Sequence, residues 1–216
     1  MHVVVAGGHG QVARRLERLL STAGHTAVGI VRNPDHVDEV QAAGAEALLL
    51  DLKASDVDAV AAHLDGADAV VFAAGAGPGS GIPRKQTVDR DASVLMADSA
   101  ERAGVRRFVQ ISSMGAGAPP PPGTDETFAA YLRAKAEAEE DLRHRDLDWT
   151  VLRPGRLTNA PGTGHILLAS SVPRGQISRD DVAAVIVGLL SDARGITKTL
   201  ELVAGDTPIE QALEQV

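Results

Sequence analysis

Short runs of β-branched and aliphatic residues alternate along this chain with longer stretches whose apolar positions recur at helical spacing. "HVVVA" (2 to 6) predicts a buried strand. "GQVARRLERLLSTAG" (10 to 24) predicts a helix that turns Val12, Leu16, Leu19 and Leu20 inward and closes at Gly24. The unit recurs as "TAVGIV" before "PDHVDEVQAAG", "EALLL" before "SDVDAVAAHLDG", and "DAVVFAA" before a helix from about 87 to 104 that ends at Gly104. "RRFVQIS", a helix from about 126 to 145, and "WTVLR" continue it. Strands buried on both faces and joined by helices call for a parallel sheet with right-handed crossovers, so the predicted fold class is α/β, a doubly wound parallel sheet. "GAGAPPPPGTDET" (115 to 127) reads as a loop rather than a domain linker, because the rhythm resumes after it. Beyond residue 155 the pattern loosens, then closes with a helix (179 to 191), a strand (198 to 203) and a short last helix. The expectation is one domain, 1–216, in which about 155–216 forms a small substrate-side lobe.

Composition narrows the function classes. Basic residues number 21 against 29 acidic, and the net charge of -8 repels a phosphate backbone, so nucleic acid is not an expected partner. There are no cysteines, which excludes disulfides, thiolate metal sites and cysteine nucleophiles, and the seven histidines lack ligand spacing, so no metal is expected. No apolar run is long enough for a signal peptide or a membrane span, which predicts a cytoplasmic protein with no membrane partner.

The chemistry gathers at strand ends. "AGGHGQVA" holds Gly8, Gly10 and Ala13 in G-x-G-x-x-A spacing, and Gly7, Gly10 and Ala13 in a second frame. Following a strand and opening a helix, such a turn brings backbone amides to a pyrophosphate, with His9, Gln11 and Val12 as further candidate contacts; glycines that serve only a tight turn, and a His9 exposed in it, are the plain alternatives. At the end of the second strand Arg32, beside Asn33, stands where an acidic residue would bind a ribose 2′-hydroxyl. A guanidinium there favours a 2′-phosphate, hence NADP(H) over NAD(H); a solvated arginine before a helix is the plain alternative. Asp51 and Leu52 end the third strand, where they could hold an adenine amino group and ring face, although Asp51, like Ser55, could instead cap the next helix. Tyr131, the only tyrosine, precedes Lys135 by one helical turn on one face. An ammonium near a tyrosine favours its phenolate and suits the pair to proton exchange; a half-buried tyrosine beside an exposed lysine is the other reading. "QISSMGAG" offers Ser112 or Ser113 as a hydroxyl at the next strand end, one facing the sheet interior and the other the cleft, and no G-x-S-x-G elbow supports a hydrolase. "GPGSG" (77 to 81) and "PPPP" are expected to rim the cleft. Arg106 and Arg107 are expected to complement a helix's negative end in solvent, and Trp149 to pack in the core or against the lobe.

Taken in order, "VVVAGGHGQVA", "VRNP", "LLLDL", "VVFAAGAG", "RRFVQISSMGA", "YLRAK", "DWTVLRPGRLTN" and "SRDDVAAVIV" cover nearly the whole chain. Together they resemble the short-chain dehydrogenase/reductase superfamily, in its atypical NmrA-like NAD(P)H-binding branch, which is similar to NAD-dependent epimerase/dehydratase domains. The resemblance implies a Rossmann-type fold and a Ser113, Tyr131 and Lys135 triad. It also implies cofactor contacts at Gly7, Gly10, Arg32, Asp51, Ala73, Ala74 and Gly75, Lys135 on the nicotinamide ribose, and Pro154 and Gly155 in the turn beside the nicotinamide. Ala13 replaces the third glycine, "AAGAGPGSG" lacks the family's usual asparagine, and no long substrate lobe is present, which argues against a large substrate. The expected function is an NADP(H)-dependent oxidoreductase of a small carbonyl or alcohol. The alternatives are an NADP(H)-binding regulatory or redox-sensing protein with little turnover, and an epimerase or dehydratase. The expected partner is a small-molecule substrate, with the oligomeric state open.

Overall fold

The computed structural model describes residues 1–77, 79–192 and 194–216. Chain order runs β1 (His2–Ala6), α1 (Gln11–Thr22), β2 (Thr26–Val31), a 3-10 turn (Pro34–His36), α2 (Val37–Ala42), β3 (Glu46–Leu49), α3 (Val57–Ala61) and β4 (Ala69–Phe72). A short α4 (Ile82–Arg84) leads through a π-helical turn (Lys85–Asp91) into α5 (Ala92–Ala103), then β5 (Arg107–Ile111), α6 (Glu126–Arg143), β6 (Asp148–Pro154) and β7 (Arg156–Thr158). The remainder is β8 (His165–Ala169), β9 (Gln176–Ser178), α7 (Arg179–Ser191), β10 (Lys198–Ala204), β11 (Thr207–Pro208) and α8 (Ile209–Leu213).

The main sheet has the order β11-β8-β10-β6-β5-β4-β1-β2-β3, parallel from β3 through to β10 and antiparallel where β8 joins β10. This is the doubly wound α/β fold of a Rossmann-like domain. Alternation along β1 sends Val3 and Val5 to the face covered by α1 and α7, and Val4 and Ala6 to the face covered by α3 and α5. The connection reverses direction between β1 and β4, which register Val3 on Ala69 and Ala6 on Phe72, so a crevice opens beyond their carboxyl ends.

Several local expectations need correction. Within α1, Val12, Leu16 and Leu20 are buried as expected, but Leu19 is 39% exposed and Glu17 is fully buried in its place. Neither Asp51 nor Ser55 caps α3; Asp56 does, its Oδ1 accepting from the Ala59 amide at 2.9 Å. The helix expected from 87 begins at Ile82 and passes through a π turn. Of the strands expected to be buried on both faces, β3 at the sheet edge is instead partly exposed along its length. Much of the tail extends the main sheet through β8, β10 and β11, and α7 packs on α1. Arg107 is buried, not solvated, and donates to the carbonyls of Asp148 (2.6 Å), Leu189 (3.0 Å) and Arg194 (3.1 Å) and to the Thr150 hydroxyl. Burial pulls its guanidinium down to about 10, still charged at neutral pH. Arg106 instead forks onto Asp146 and Asp148 at the surface.

Candidate active site

The first turn is packed so closely that side chains are excluded. Gly7 has φ +81, and a Cβ there would meet Ala74 Cα at 2.7 Å, which ties the β1 turn to the β4 end across the crevice. Gly10 caps α1 with no side-chain hydrogen bond, and the first turn of α1 carries no acidic residue. The positive end of a twelve-residue helix is therefore open to an anion.

Two cavities meet at this turn, sharing Gly10, Ala73, Ala74 and Gly75. The first, ≈ 310 Å³, runs over the ends of β2 and β3 and is lined by Gly7, His9, Arg32, His36, Asp51, Leu52, Lys53 and Arg84. His9 stacks on His36 at 3.5 Å between ring centroids, and its Nε2 lies 3.1 Å from a Glu39 oxygen. Among the described residues, Arg32, Lys53 and Arg84 form no ion pair with a carboxylate. Asn33 turns away from this cavity, its Oδ1 capping the 3-10 turn through the Asp35 amide at 3.2 Å. The second cavity, ≈ 520 Å³, continues past Gln11 and Val12 to the ends of β4 and β5, where Lys85, Asp89, Ser112, Tyr131, Lys135, Leu157 and Arg179 line it. Gly77 and Gly79 of "GPGSG" also line it, while Pro78 lies outside the described residues. The four prolines after Ala118 are exposed and contribute no lining residue; Asp125, Thr127 and Phe128, just beyond them, do.

Tyr131 and Lys135 face this cavity from α6, which starts at Asp125, whose Oδ1 accepts from the Phe128 amide at 3.0 Å. Lys135 is buried, contrary to the reading of an exposed lysine beside a tyrosine. Its ammonium donates to the Ile111 carbonyl at 3.1 Å, reaches the Ala74 carbonyl at 3.5 Å, pairs with Asp89 Oδ1 at 3.3 Å, and lies 5.9 Å from the Tyr131 ring centroid. Asp89 is fully buried, and its Oδ2 accepts from the Ala76 amide at 3.2 Å. On the Tyr131 ring sits a second ammonium, Lys85, at 5.3 Å from the centroid, and Phe128 stacks at 5.8 Å.

Of the two serines, Ser112 lines the cavity and Ser113 does not. The Ser112 hydroxyl is committed to Glu139, which is fully buried and also holds Arg153 and Arg143. Ser113 is half-buried, with only a 3.5 Å contact from its hydroxyl to the Met114 carbonyl. Pro154 and Gly155 line neither cavity; a Cβ on Gly155 would strike the Gly175 carbonyl oxygen at 2.5 Å, so this glycine serves packing. Sequence reasoning missed Lys53, Arg84, Lys85, Asp89 and Arg179. For Asp89 a signal was present: it shares a helical face with Ala92, Ser93 and Met96, a charge on an apolar stripe. Among the described residues no group of three or more His, Asp or Glu could hold a metal, and no helix is long and apolar enough to cross a membrane.

Comparison with known proteins agrees with the fold. Residues 7–193 match a family model described as NAD(P)H-binding. The chain is 35% identical over 217 residues, 100% of both chains, to a Bacillus subtilis (strain 168) protein named "Uncharacterized sugar epimerase YhfK". A proposed NAD-dependent epimerase/dehydratase from Bacillus halodurans superposes with a TM-score of 0.91 at 35% identity, covering 100% of both chains. The oxidoreductase ylbE from Lactococcus lactis superposes with a TM-score of 0.87 at 28% identity, covering 100% of this chain and 96% of that one.

Proposed function

From the premise that the chain belongs to the NAD(P)H-binding family, we propose that it is an NADP(H)-dependent oxidoreductase of a small carbonyl or alcohol. The observation that carries the reading is that Tyr131, with the Lys135 ammonium behind it, opens into the same continuous crevice as the glycine turn. The residues present fit the cofactor: an uncapped helix end for a pyrophosphate, and Arg32, Lys53 and Arg84 around the neighbouring cavity for a 2′-phosphate. When bound, NADPH supplies the hydride that adds to the substrate's carbonyl carbon.

The chain's own residues manage the proton. The Tyr131 hydroxyl gives its proton to the substrate oxygen, and two flanking ammonium groups stabilise the negative charge left on the phenolic oxygen. Lys135 is anchored on the Ile111 carbonyl and Asp89, and with a cofactor bound it would hold the nicotinamide ribose on giving up its long contact to Ala74. The orienting hydroxyl stays with Ser113, whose weak contact to Met114 leaves it able to exchange for a ligand, but it reaches a substrate only by turning into the cavity that Ser112 lines.

NADPH oxidation over a panel of small aldehydes and ketones, with Tyr131→Phe as control, tests the reading. Turnover that Tyr131→Phe leaves intact would refute it. Cofactor binding without turnover on the whole panel would point to a sensing role instead. The names of the relatives favour a second reading, an epimerase or dehydratase that uses the dinucleotide transiently. It predicts conversion of substrate with no net NADPH consumed.

A further inference from the structure

One cation on the substrate side of the cleft has no counter-ion among the described residues. Lys85 opens the π-helical turn, is only 7% exposed, donates to the Gly77 carbonyl at 2.7 Å and lies over the Tyr131 ring. Lys135 is neutralised by Asp89, whereas among the described residues no carboxylate pairs with Lys85. The other acidic lining group, Asp125, is engaged as the cap of α6. Arg179 adds a second positive charge to the same cleft, and its side chain's partner is the neutral Asn159 Oδ1 at 3.0 Å. Burial, followed by repulsion from Arg15, pulls the Arg179 guanidinium below its ordinary value. A buried ammonium without an anion is unfavourable, and a chain with 29 acidic residues has carboxylates enough to neutralise one. Lys85 stands at the start of a π turn, a feature frequent at functional sites, and faces the tyrosine.

We propose that Lys85 anchors a carboxylate on the substrate, which makes the substrate class a small oxo acid or aldehyde acid. The carbonyl half of this statement rests on the reductase reading above; the anion half rests on the cleft alone. In the reaction the hydride adds to the carbonyl carbon, the C=O π pair moves to oxygen and takes the Tyr131 proton, and solvent reprotonates Tyr131. The products are a hydroxy acid and NADP⁺, with the carboxylate unchanged and held by Lys85.

The test uses three acids, 4-oxopentanoate, succinate semialdehyde and 4-carboxybenzaldehyde, each beside its methyl ester. NADPH oxidation gives the acid-to-ester ratio of kcat/KM, and calorimetry of the matching hydroxy acids and hydroxy esters on NADP-saturated protein gives a ratio that needs no turnover. The wild type should favour the acid by about tenfold or more in at least one pair, as a charge-assisted hydrogen bond predicts. Lys85→Gln should erase that preference, lowering kcat for acid and ester alike through the charge lost beside Tyr131 while raising KM for the acid alone; Lys85→Arg should restore part of it, and Lys85→Met supplies the neutral case should the glutamine variant not fold. A ratio near one in all three pairs by both readouts, or a ratio that survives Lys85→Gln, overturns the proposal. NADPH affinity falling in parallel with acid affinity also overturns it, because the cation would then serve the cofactor's phosphates. An acid preference in binding that Lys85→Gln removes, without turnover of any compound, upholds the anion site while refuting the reductase reading.

Discussion

Replacing Glu17 by glutamine should stabilise the protein, and by more as the pH rises. Glu17 lies on α1 beneath the glycine turn, fully buried, with neither carboxyl oxygen hydrogen-bonded. It is wedged against two backbones: a Cβ on Gly29 would meet its Oε1 at 2.6 Å, and one on Gly8 would meet it at 2.9 Å. Burial pushes the carboxyl from 4.5 up to about 8, opposed only in part by Arg14, whose guanidinium already pairs with Glu39. The folded state therefore keeps a proton that the unfolded chain loses above pH 4.5, so stability falls as pH rises through this window. Each pH unit in it costs about 1.4 kcal/mol, which makes the penalty about 1 kcal/mol at pH 5 and about 3 kcal/mol at pH 7, levelling at about 5 kcal/mol above pH 8. Urea unfolding of wild type and Glu17→Gln at pH 5, 6, 7 and 8 isolates this group, because the other carboxylates cancel in the difference. The advantage of the variant should widen by about 2 kcal/mol between pH 5 and 7. A difference that stays flat across that range would refute the reasoning.

Three further outcomes follow from the geometry. Tyr131→Phe should lower kcat for an accepted carbonyl by about a hundredfold or more while NADPH binding persists, read by stopped-time NADPH absorbance and calorimetry. Arg107→Ala, which strips three carbonyls and the Thr150 hydroxyl of their donor, should cost about 3 kcal/mol or more in denaturant titration; a loss under about 1 kcal/mol would mean that these contacts are dispensable. Amides of Gly77 and Gly79, which line the cleft, should gain hydrogen-exchange protection when NADPH is added, and unchanged exchange there would remove them from the binding surface.

What could be read in the sequence was what short-range periodicity encodes. β1 and β2 match their expected limits because runs such as "HVVVA" are apolar on both faces, and the Tyr131–Lys135 relation follows from one helical turn. Arg107 was misread because its acceptors at Leu189 and Arg194 lie 82 and 87 residues away, beyond any local rule. Contacts between residues far apart in the chain likewise hid Asp89 from Lys135 and placed β8 antiparallel on β10 without a sequence signal. At the site, the π turn shifts the helical phase that a 3.6-residue period assumes, so Lys85 pointing at Tyr131 was not legible. Alternation predicts opposite directions for Ser112 and Ser113, but it does not predict that Ser112 lines the cavity and bonds Glu139 while Ser113 lines neither cavity.

The central claim is a nicotinamide dinucleotide at the first glycine turn with its 2′-phosphate among Arg32, Lys53 and Arg84. Calorimetric titration of NADPH, NADP, NADH and NAD into the wild type and Arg32→Ala tests it most directly. NADPH and NADP should bind more tightly than their unphosphorylated counterparts, and Arg32→Ala should remove about tenfold or more of that preference. Equal affinity for the phosphorylated and unphosphorylated forms would contradict the assignment of the cations, and no binding of any of the four would contradict the site itself.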